Sequence, residues 1–148
     1  MRIINIYSKG KYPADALSNF APHTFDFDGI TDIPCMEAFL QSLKFEDVQE
    51  QQMVLRMSGK EAKQAGTIHG WNRVLYWKGR KFDRFSKEYL ELVERAYRAM
   101  LRSESFCKAL RASKGCVLFH TIGKSFRKNT ILTWWEFVHL LYQMRKEV

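Results

Sequence analysis

The spacing of apolar residues along the chain predicts mostly α-helix. In one early segment Met36, Phe39, Leu40 and Leu43 recur every three or four residues, which is the period of a single helix face. The same period runs through residues 86–101 and predicts a long helix there. Both segments are expected to bury one face in a hydrophobic core.

Capping signals predict further helices. Ser58 and Thr133 are each followed three residues later by a glutamate, which is the capping-box pattern that begins a helix. Gly66 is expected to end the helix that Ser58 begins. Asp47 begins another predicted helix, and one more covers roughly residues 104–111.

Short strands complete the predicted fold. Residues 2–7 suit a strand, and residues 24–33 suit a hairpin that turns at Asp28-Gly29. Residues 67–85 are aromatic and basic, and are predicted to form a structured loop. The fold class is therefore predominantly α and multi-helical, with a few short β-strands near the N-terminus and around residue 118.

Length and composition indicate a single globular domain spanning residues 1–148. No apolar run approaches the ~20 residues that cross a bilayer, and the N-terminus lacks the apolar region of a signal peptide. Cys35, Cys107 and Cys116 form no Cys-x-x-Cys pair, which favours reduced and buried thiols. We therefore expect a cytoplasmic protein with no membrane partner.

The net charge of +8 is concentrated in the C-terminal third. Residues 101–148 hold nine Lys or Arg against three Asp or Glu, a net of +6, whereas residues 1–100 hold fifteen against thirteen. A basic loop is predicted at residues 123–130. This distribution favours a phosphate-bearing partner, although solubility alone also accounts for it.

The candidate chemistry lies on the early helix. Glu37, Gln41 and Lys44 are four and three residues apart, so they project from one polar sector beside the apolar stripe. A carboxylate, an amide and an amine in one sector can form a catalytic surface. The alternative from periodicity alone is a solvated helix face with an ordinary charge pattern.

Three other sites are rejected on spacing. Gly123-Lys124-Ser125 is like the end of a phosphate-binding P-loop, but Leu118 stands where that loop needs a glycine. The four histidines have no metal-ligand spacing, so no metal is expected. On a strand, Cys116 and His120 would be ~13 Å apart, too far for proton transfer.

Two blocks resemble a known family. Residues 17–22 read Leu-Ser-Asn-Phe-Ala-Pro, and residues 37–45 follow the pattern Glu-x-x-x-Gln-x-x-Lys-Phe. Together they resemble the signature of the NADAR family, the YbiA-like N-glycosidases. The resemblance continues through Ala62–Gly66, Tyr76-Trp77 and Leu132–Phe137, and so covers nearly the whole chain.

This resemblance implies a compact multi-helical domain that hydrolyses N-glycosidic bonds. Members act on ADP-ribosylated guanine in nucleic acid or on a phosphorylated riboflavin-pathway intermediate. The expected partner is therefore a phosphorylated nucleoside or an ADP-ribosyl small molecule, or ADP-ribosylated nucleic acid. No cofactor is expected. The alternative is a non-catalytic domain that binds ADP-ribose, NAD or nucleic acid.

The resemblance also implies a set of site residues. Glu37 is expected to place negative charge near the ribose or to activate water, and Lys44 to act as an acid, a Schiff-base nucleophile or a phosphate contact. Trp77 is the first choice for stacking on the base, with core packing as its alternative. The expected substrate contacts are Ser18, Asn19, Phe20, Gln41, Trp77, Trp71, His120 and Lys124.

One departure from the family pattern concerns residues 120–129. Many members have an aspartate followed by a Trp-Gly pair in this third of the chain, but no acidic residue occurs between Ser105 and Trp135. Three explanations follow: His120 takes over part of the role, Glu37 acts alone, or activity has been lost.

Overall fold

The computed structural model describes residues 2–148, and within that range it has six α-helices and six short strands. The helices are α1 (Met36–Ser42), α2 (Val48–Val54), α3 (Gly59–His69), α4 (Lys87–Met100), α5 (Glu104–Ala112) and α6 (Trp134–Arg145). The strands are β1 (Ile3–Asn5), β2 (Phe25–Phe27), β3 (Ile30–Ile33), β4 (Val74–Trp77), β5 (Arg80–Asp83) and β6 (Val117–Phe119). The predicted helix-rich fold class is confirmed. Over residues 2–148, no helix combines the length and the apolar character needed to cross a bilayer.

Side-chain caps begin several of these helices, as predicted. The Ser58 hydroxyl accepts a hydrogen bond from the Glu61 backbone N–H, and the Glu61 carboxylate accepts one from the Ser58 N–H. Thr133 and Glu136 form the same reciprocal box at the start of α6. Asp47 caps α2. These contacts satisfy backbone N–H groups that have no partner within the helix.

The six described strands form three separate two-stranded sheets. β1 and β6 pair in parallel, with Ile4 opposite Leu118, and so join two segments that are more than 110 residues apart in sequence. β2 and β3 form the predicted hairpin. Its turn residues Asp28 and Gly29 have positive φ angles of 50° and 80°, which suit a tight two-residue turn.

The structure corrects the prediction of a loop at residues 67–85. β4 and β5 form a second hairpin there, with Lys78-Gly79 at the turn in the left-handed region. Leu75 and Phe82 pair across the strands and are buried, while their neighbours along each strand are more exposed. The alternation is only four residues long on each strand, so the aromatic and basic composition masked it.

Helix α1 lies at the centre of the core, because all of its residues are buried. It packs along α3 and also contacts α2 and α4. The Phe39 ring lies 5.5 Å from that of Phe27 and 5.1 Å from that of Trp77, both edge-on. Because the whole helix is enclosed, Glu37 and Gln41 lie inside the protein, and the solvated-face alternative is wrong.

Gly66 does not end α3, which continues to His69. Instead it lies where α3 crosses α1. A Cβ atom at Gly66 would lie 1.8 Å from Gln41 Oε1 and 3.3 Å from Lys44 Nζ. The glycine is therefore needed for close helix approach rather than for a turn, a second use of glycine that the sequence does not distinguish from the first.

Candidate active site

A cavity of about 480 Å³ opens between α1, α3, the segment 17–20 and the chain from His120 to Thr133. Nine of the ten predicted site residues line it, and only Trp77 does not. The nine are Ser18, Asn19, Phe20, Glu37, Gln41, Lys44, Trp71, His120 and Lys124. Residues that are far apart in sequence are thus brought to one enclosed place.

Glu37 is the only acidic residue among the described residues that line the cavity. Its side chain is buried, and its carboxylate accepts a hydrogen bond of 2.7 Å from Gln41 Nε2. Burial raises the pKa of Glu37 above its ordinary value, against the opposing effects of that bond and of the nearby charges on Lys63 and Lys44. A carboxyl group with a raised pKa is a better proton acceptor when ionised.

Lys44 follows α1 and reaches α3, where its Nζ donates to the Gly66 carbonyl at 3.2 Å. Burial lowers its pKa, and the positive charge of Lys63 lowers it further, while Glu37 opposes both. Burial therefore shifts the pKa values of Glu37 and Lys44 toward each other. Perturbed pKa values in one cavity are characteristic of functional sites.

Gln41 connects the two helices at this point. Its Nε2 donates to Glu37, and its Oε1 is buried against the glycine at position 66. Among the described residues, Oε1 is the one buried side-chain nitrogen or oxygen atom without a hydrogen-bond partner. Unpaired buried acceptors are rare and costly, and in functional sites they often mark where a ligand or water donates.

The segment 17–20 presents polar groups to the same cavity. The Tyr97 hydroxyl donates to Asn19 Oδ1 at 2.6 Å, and the Asn19 carbonyl accepts from the Glu37 backbone N–H at 2.9 Å. With its oxygen occupied, Asn19 keeps its side-chain NH₂ group for the cavity. Ser18 Oγ accepts from the Phe20 N–H, so part of its capacity stabilises the local turn.

The two tryptophans take opposite places. Trp77 is 4% exposed, stacks on Phe27 with ring centroids 5.6 Å apart, and donates its Nε1–H to Asp28. The expectation that it stacks on a substrate base is therefore wrong, because its ring belongs to the core. Trp71 is half-buried, lines the cavity and donates to the Lys128 carbonyl at 2.6 Å.

The opposite wall of the cavity is a loop with a rigid support beneath it. Arg84 is fully buried, pairs with the Glu136 carboxylate and donates to the Thr130 carbonyl at 2.7 Å. Arg127 contacts the same carboxylate at 3.2 Å. Although burial opposes ionisation, the bonds from Arg84 and Thr133 hold the pKa of Glu136 below its ordinary value. We call Arg84, Glu136 and Arg127 the ion triad.

Sequence reasoning missed several polar lining residues: Ser8, Lys63, Thr67, Asn129, Thr130 and Thr133. Lys63 is the most consequential, because with Lys44 and Lys124 it makes three lysines against one carboxylate in the described lining. Its position three residues before Gly66 places it on the same face of α3, which is the signal that could have found it. The excess positive charge suits an anionic ligand.

Within residues 2–148, no group of three or more His, Cys, Asp or Glu side chains could hold a metal ion. Cys35, Cys107 and Cys116 are free thiols and are all buried.

Comparisons with known proteins identify the family and the fold of the chain. Residues 11–146 match the model of the family described as bacteriophage protein GP30.3. The chain is 39% identical to an uncharacterized 17.1 kDa protein from the Gp30-rIII intergenic region of Enterobacteria phage T4, over 98% of each chain. It also matches the NMR structure of the E. coli protein YbiA, with a TM-score of 0.67, 19% identity, and coverage of 99% of this chain and 84% of YbiA. The predicted resemblance is therefore confirmed at the level of family and fold: the chain belongs to the bacteriophage GP30.3 family and has a YbiA-like NADAR fold.

Proposed function

We propose that this protein is an N-glycosidase that hydrolyses the ribose–nitrogen bond of an ADP-ribosyl or related phosphorylated ribonucleotide. The observation that carries the proposal is a single buried carboxylate, Glu37, in a cavity whose other charged lining groups are Lys44, Lys63 and Lys124. As the bond to a phosphorylated ribose breaks, positive charge develops on the sugar beside the fixed negative charges of the phosphates. The Glu37 carboxylate complements the positive charge, and the lysines complement the negative charges.

The proposed role of Glu37 follows from the charge that develops as the bond breaks. The anomeric carbon gains oxocarbenium character, which a fixed carboxylate stabilises, and water must lose a proton as it attacks. The raised pKa of Glu37 suits it to accept that proton. Gln41 holds the carboxylate in place through its bond of 2.7 Å.

Lys44 is proposed to act as an amine rather than as a phosphate contact. Its lowered pKa increases the neutral fraction, and a neutral amine can form a transient Schiff base with the aldehyde of an opened ribose. Lys63 and Lys124 are more exposed, lie on opposite walls, and are better placed to hold phosphate.

Substrate contacts are assigned to the remaining lining groups. Trp71 offers the half-buried ring at the cavity and is proposed to stack on the base. The Asn19 NH₂ group and Ser18 are proposed to donate to ribose or phosphate oxygens. The Phe20 ring packs against Gly59 of α3 and so supports this segment from below.

A second candidate function is non-catalytic binding of nucleic acid, and a specific surface favours it. Phe126 is 65% exposed and Trp135 is 42% exposed beside the cavity-lining loop. The Arg127 guanidinium lies 5.1 Å from the Trp135 ring centroid, and Lys128 adjoins Phe126. Exposed rings with adjacent cations are what single-stranded nucleic acids bind.

The two candidates separate in one experiment. The protein is incubated with ADP-ribosylated guanosine and with a DNA oligonucleotide that carries the same adduct, and released ADP-ribose is quantified by mass spectrometry. We expect release by the wild type, with loss of at least about 100-fold in Glu37→Gln and Lys44→Met. Trapping with borohydride tests the Schiff base at Lys44.

Matched controls make the same chemical changes away from the cavity. Lys87 and Glu91 form an exposed pair on α4, so Lys87→Met and Glu91→Gln should keep wild-type turnover. Full activity in Glu37→Gln and Lys44→Met would contradict the site assignment. Tight, salt-sensitive binding of the oligonucleotide with no product would favour the second candidate.

A further inference from the structure

We propose that His120 is the general acid that protonates the leaving nitrogen. This inference rests on the proposed N-glycosidase activity and adds a catalytic group to it. The loop has no carboxylic acid of its own, since no Asp or Glu lies between Ser105 and Trp135. Departure of a neutral heterocycle from a ribose requires a proton donor, and His120 is the histidine that lines the cavity.

A hydrogen bond to the Ile6 carbonyl, just after β1, fixes the tautomer of the His120 ring. His120 Nδ1 lies 2.9 Å from the Ile6 carbonyl, and a carbonyl only accepts, so Nδ1 carries the hydrogen. Nε2 is then the atom that gains and loses a proton. Nε2 has no hydrogen-bond partner among the described residues. It is not one of the buried polar atoms that lack a partner, so it is at least partly accessible. This is the usual way in which a protein orients a reactive imidazole.

Packing holds the ring in that orientation. The His120 ring meets the Phe137 ring of α6 edge-on, with centroids 5.2 Å apart. Gly123 closes the other side, because a Cβ atom there would lie 2.7 Å from His120 Cδ2 and 2.7 Å from Trp134 Cβ. Gly123 thus leaves the room that the imidazole occupies.

Lysines outnumber carboxylates in the cavity around His120. The charged groups that line the same cavity are Lys124 from the same loop, Glu37 and Lys44 from the α1 segment, and Lys63 from α3. The Ile6 carbonyl and the Phe137 ring of α6 are uncharged groups that contact the imidazole on its other sides. This excess of positive charge suits the phosphates of a bound substrate.

In the proposed step one bond to the anomeric carbon breaks and another forms. The bond between the anomeric carbon and nitrogen breaks, and its electron pair stays on nitrogen, which takes the proton from His120 Nε2. Water adds its oxygen to the anomeric carbon, which also regenerates the Lys44 amine where a Schiff base has formed, and gives a proton to Glu37. That proton returns to His120 through solvent, so each turnover consumes one water and no other reactant.

The test uses a variant that keeps the structural hydrogen bond. In His120→Asn the side-chain amide can still donate to the Ile6 carbonyl, but no group remains at the position of Nε2. We expect a loss of kcat of about 100-fold or more with KM changed less than about threefold. His139→Gln, at an exposed position of α6, is the matched control and should keep wild-type kcat.

Chemical rescue separates proton transfer from positioning. In His120→Ala, added imidazole should raise kcat at least about tenfold. Unfolding midpoints check that each variant is folded. Wild-type kcat in His120→Asn would overturn the inference. So would a folded His120→Ala variant that imidazole does not rescue. Absence of product from the wild type would overturn the proposed function itself. That outcome differs from any result with the His120 variants, because those are compared with an active wild type.

Discussion

The wall of the cavity formed by α1 and α3 differs in construction from the wall formed by residues 120–133. On the helical wall, Glu37 and Gln41 are buried in the centre of the core, and Gly66 allows the two helices to approach. On the loop wall, Lys124 is exposed and His120 is half-buried, and no α-helix or β-strand is described within residues 120–133. The chemistry proposed for the helical wall therefore depends on packing, whereas the loop wall depends on a few polar contacts.

One buried carboxylate, Glu37, belongs to the helical wall, and another, Glu136, lies beneath the loop wall; their pKa values are shifted in opposite directions. Glu136 is paired with two guanidinium groups and has a lowered pKa. Glu37 has an amide as its direct partner and a raised pKa. Full pairing stabilises structure, while incomplete pairing leaves a group free to react. Of the two buried acids, Glu37 is therefore the one that is available for chemistry.

The largest expected effect comes from breaking the ion triad. Arg84→Met leaves Glu136 buried with only Arg127, and removal of one member of a buried pair costs about 3 kcal/mol of unfolding free energy. Arg73→Met is the control, since its pair with Asp83 is more than half exposed and an exposed ion pair contributes little to stability. Urea unfolding measures both. Equal losses would show that the loop wall does not depend on the triad.

The second effect tests the close approach of α1 and α3. Alanine normally stabilises a helix interior relative to glycine, but Gly66→Ala places its Cβ 1.8 Å from Gln41 Oε1. We expect a loss of about 2 kcal/mol in unfolding free energy and a large loss of turnover, because Gln41 must move away from Glu37. Both can be measured on the same preparation.

A double mutant identifies the atom responsible for that effect. Gln41→Ala removes Oε1, so Gly66→Ala should cost much less in the Gln41→Ala background than in the wild type. Additive losses in the two variants would place the strain elsewhere.

The sequence predicted the helical wall better than the loop wall for a physical reason. The period of Met36, Phe39, Leu40 and Leu43 fixes which face of α1 is buried, and the family resemblance identified the polar sector beside it. What periodicity could not show is that α3 encloses the polar sector as well. That enclosure depends on Gly66, a residue whose local signal predicts a helix end instead.

The loop wall was predicted only as a set of residues. His120 and Lys124 were named from resemblance and charge, but the bond from Nδ1 to the Ile6 carbonyl depends on the parallel pairing of β1 with β6, across 114 residues. Such a contact has no local signature. The same holds for the two tryptophans, because Trp77 lies on the side of β4 that meets the core, whereas Trp71 precedes the strand and lines the cavity.

A third prediction uses pH to compare the two carboxylates. The folded state raises the pKa of Glu37 above 4.5, so it binds more protons than the unfolded state, and this contribution weakens stability as pH rises above about 4.5. Glu37→Gln should therefore gain stability over the wild type as pH rises through that window. Glu136 has the opposite sign, and its contribution is lost as pH falls below 4.5.

Denaturant unfolding at several pH values checks these signs. Glu37→Gln should be more stable than the wild type near neutral pH while it loses turnover, which is the pattern expected of a functional group held in an unfavourable environment. A Glu37→Gln variant that is less stable than the wild type near neutral pH would assign the carboxylate a structural role instead.

The smallest expected effect distinguishes the two exposed lysines, Lys63 on the helical wall and Lys124 on the loop wall. If both hold substrate phosphate, Lys63→Met and Lys124→Met should each raise KM by about two- to fivefold at low salt, with kcat nearly unchanged. Both effects should shrink as salt rises, because exposed charges are screened. Lys60→Met, also exposed on α3 but outside the cavity lining, is the matched control.

Lys63 should show the larger effect, because a helix restricts its side chain more than a loop restricts that of Lys124, and less ordering entropy is then lost on binding. A larger effect at Lys124 would mean that the loop wall, with the ion triad beneath it, is the more preorganised of the two.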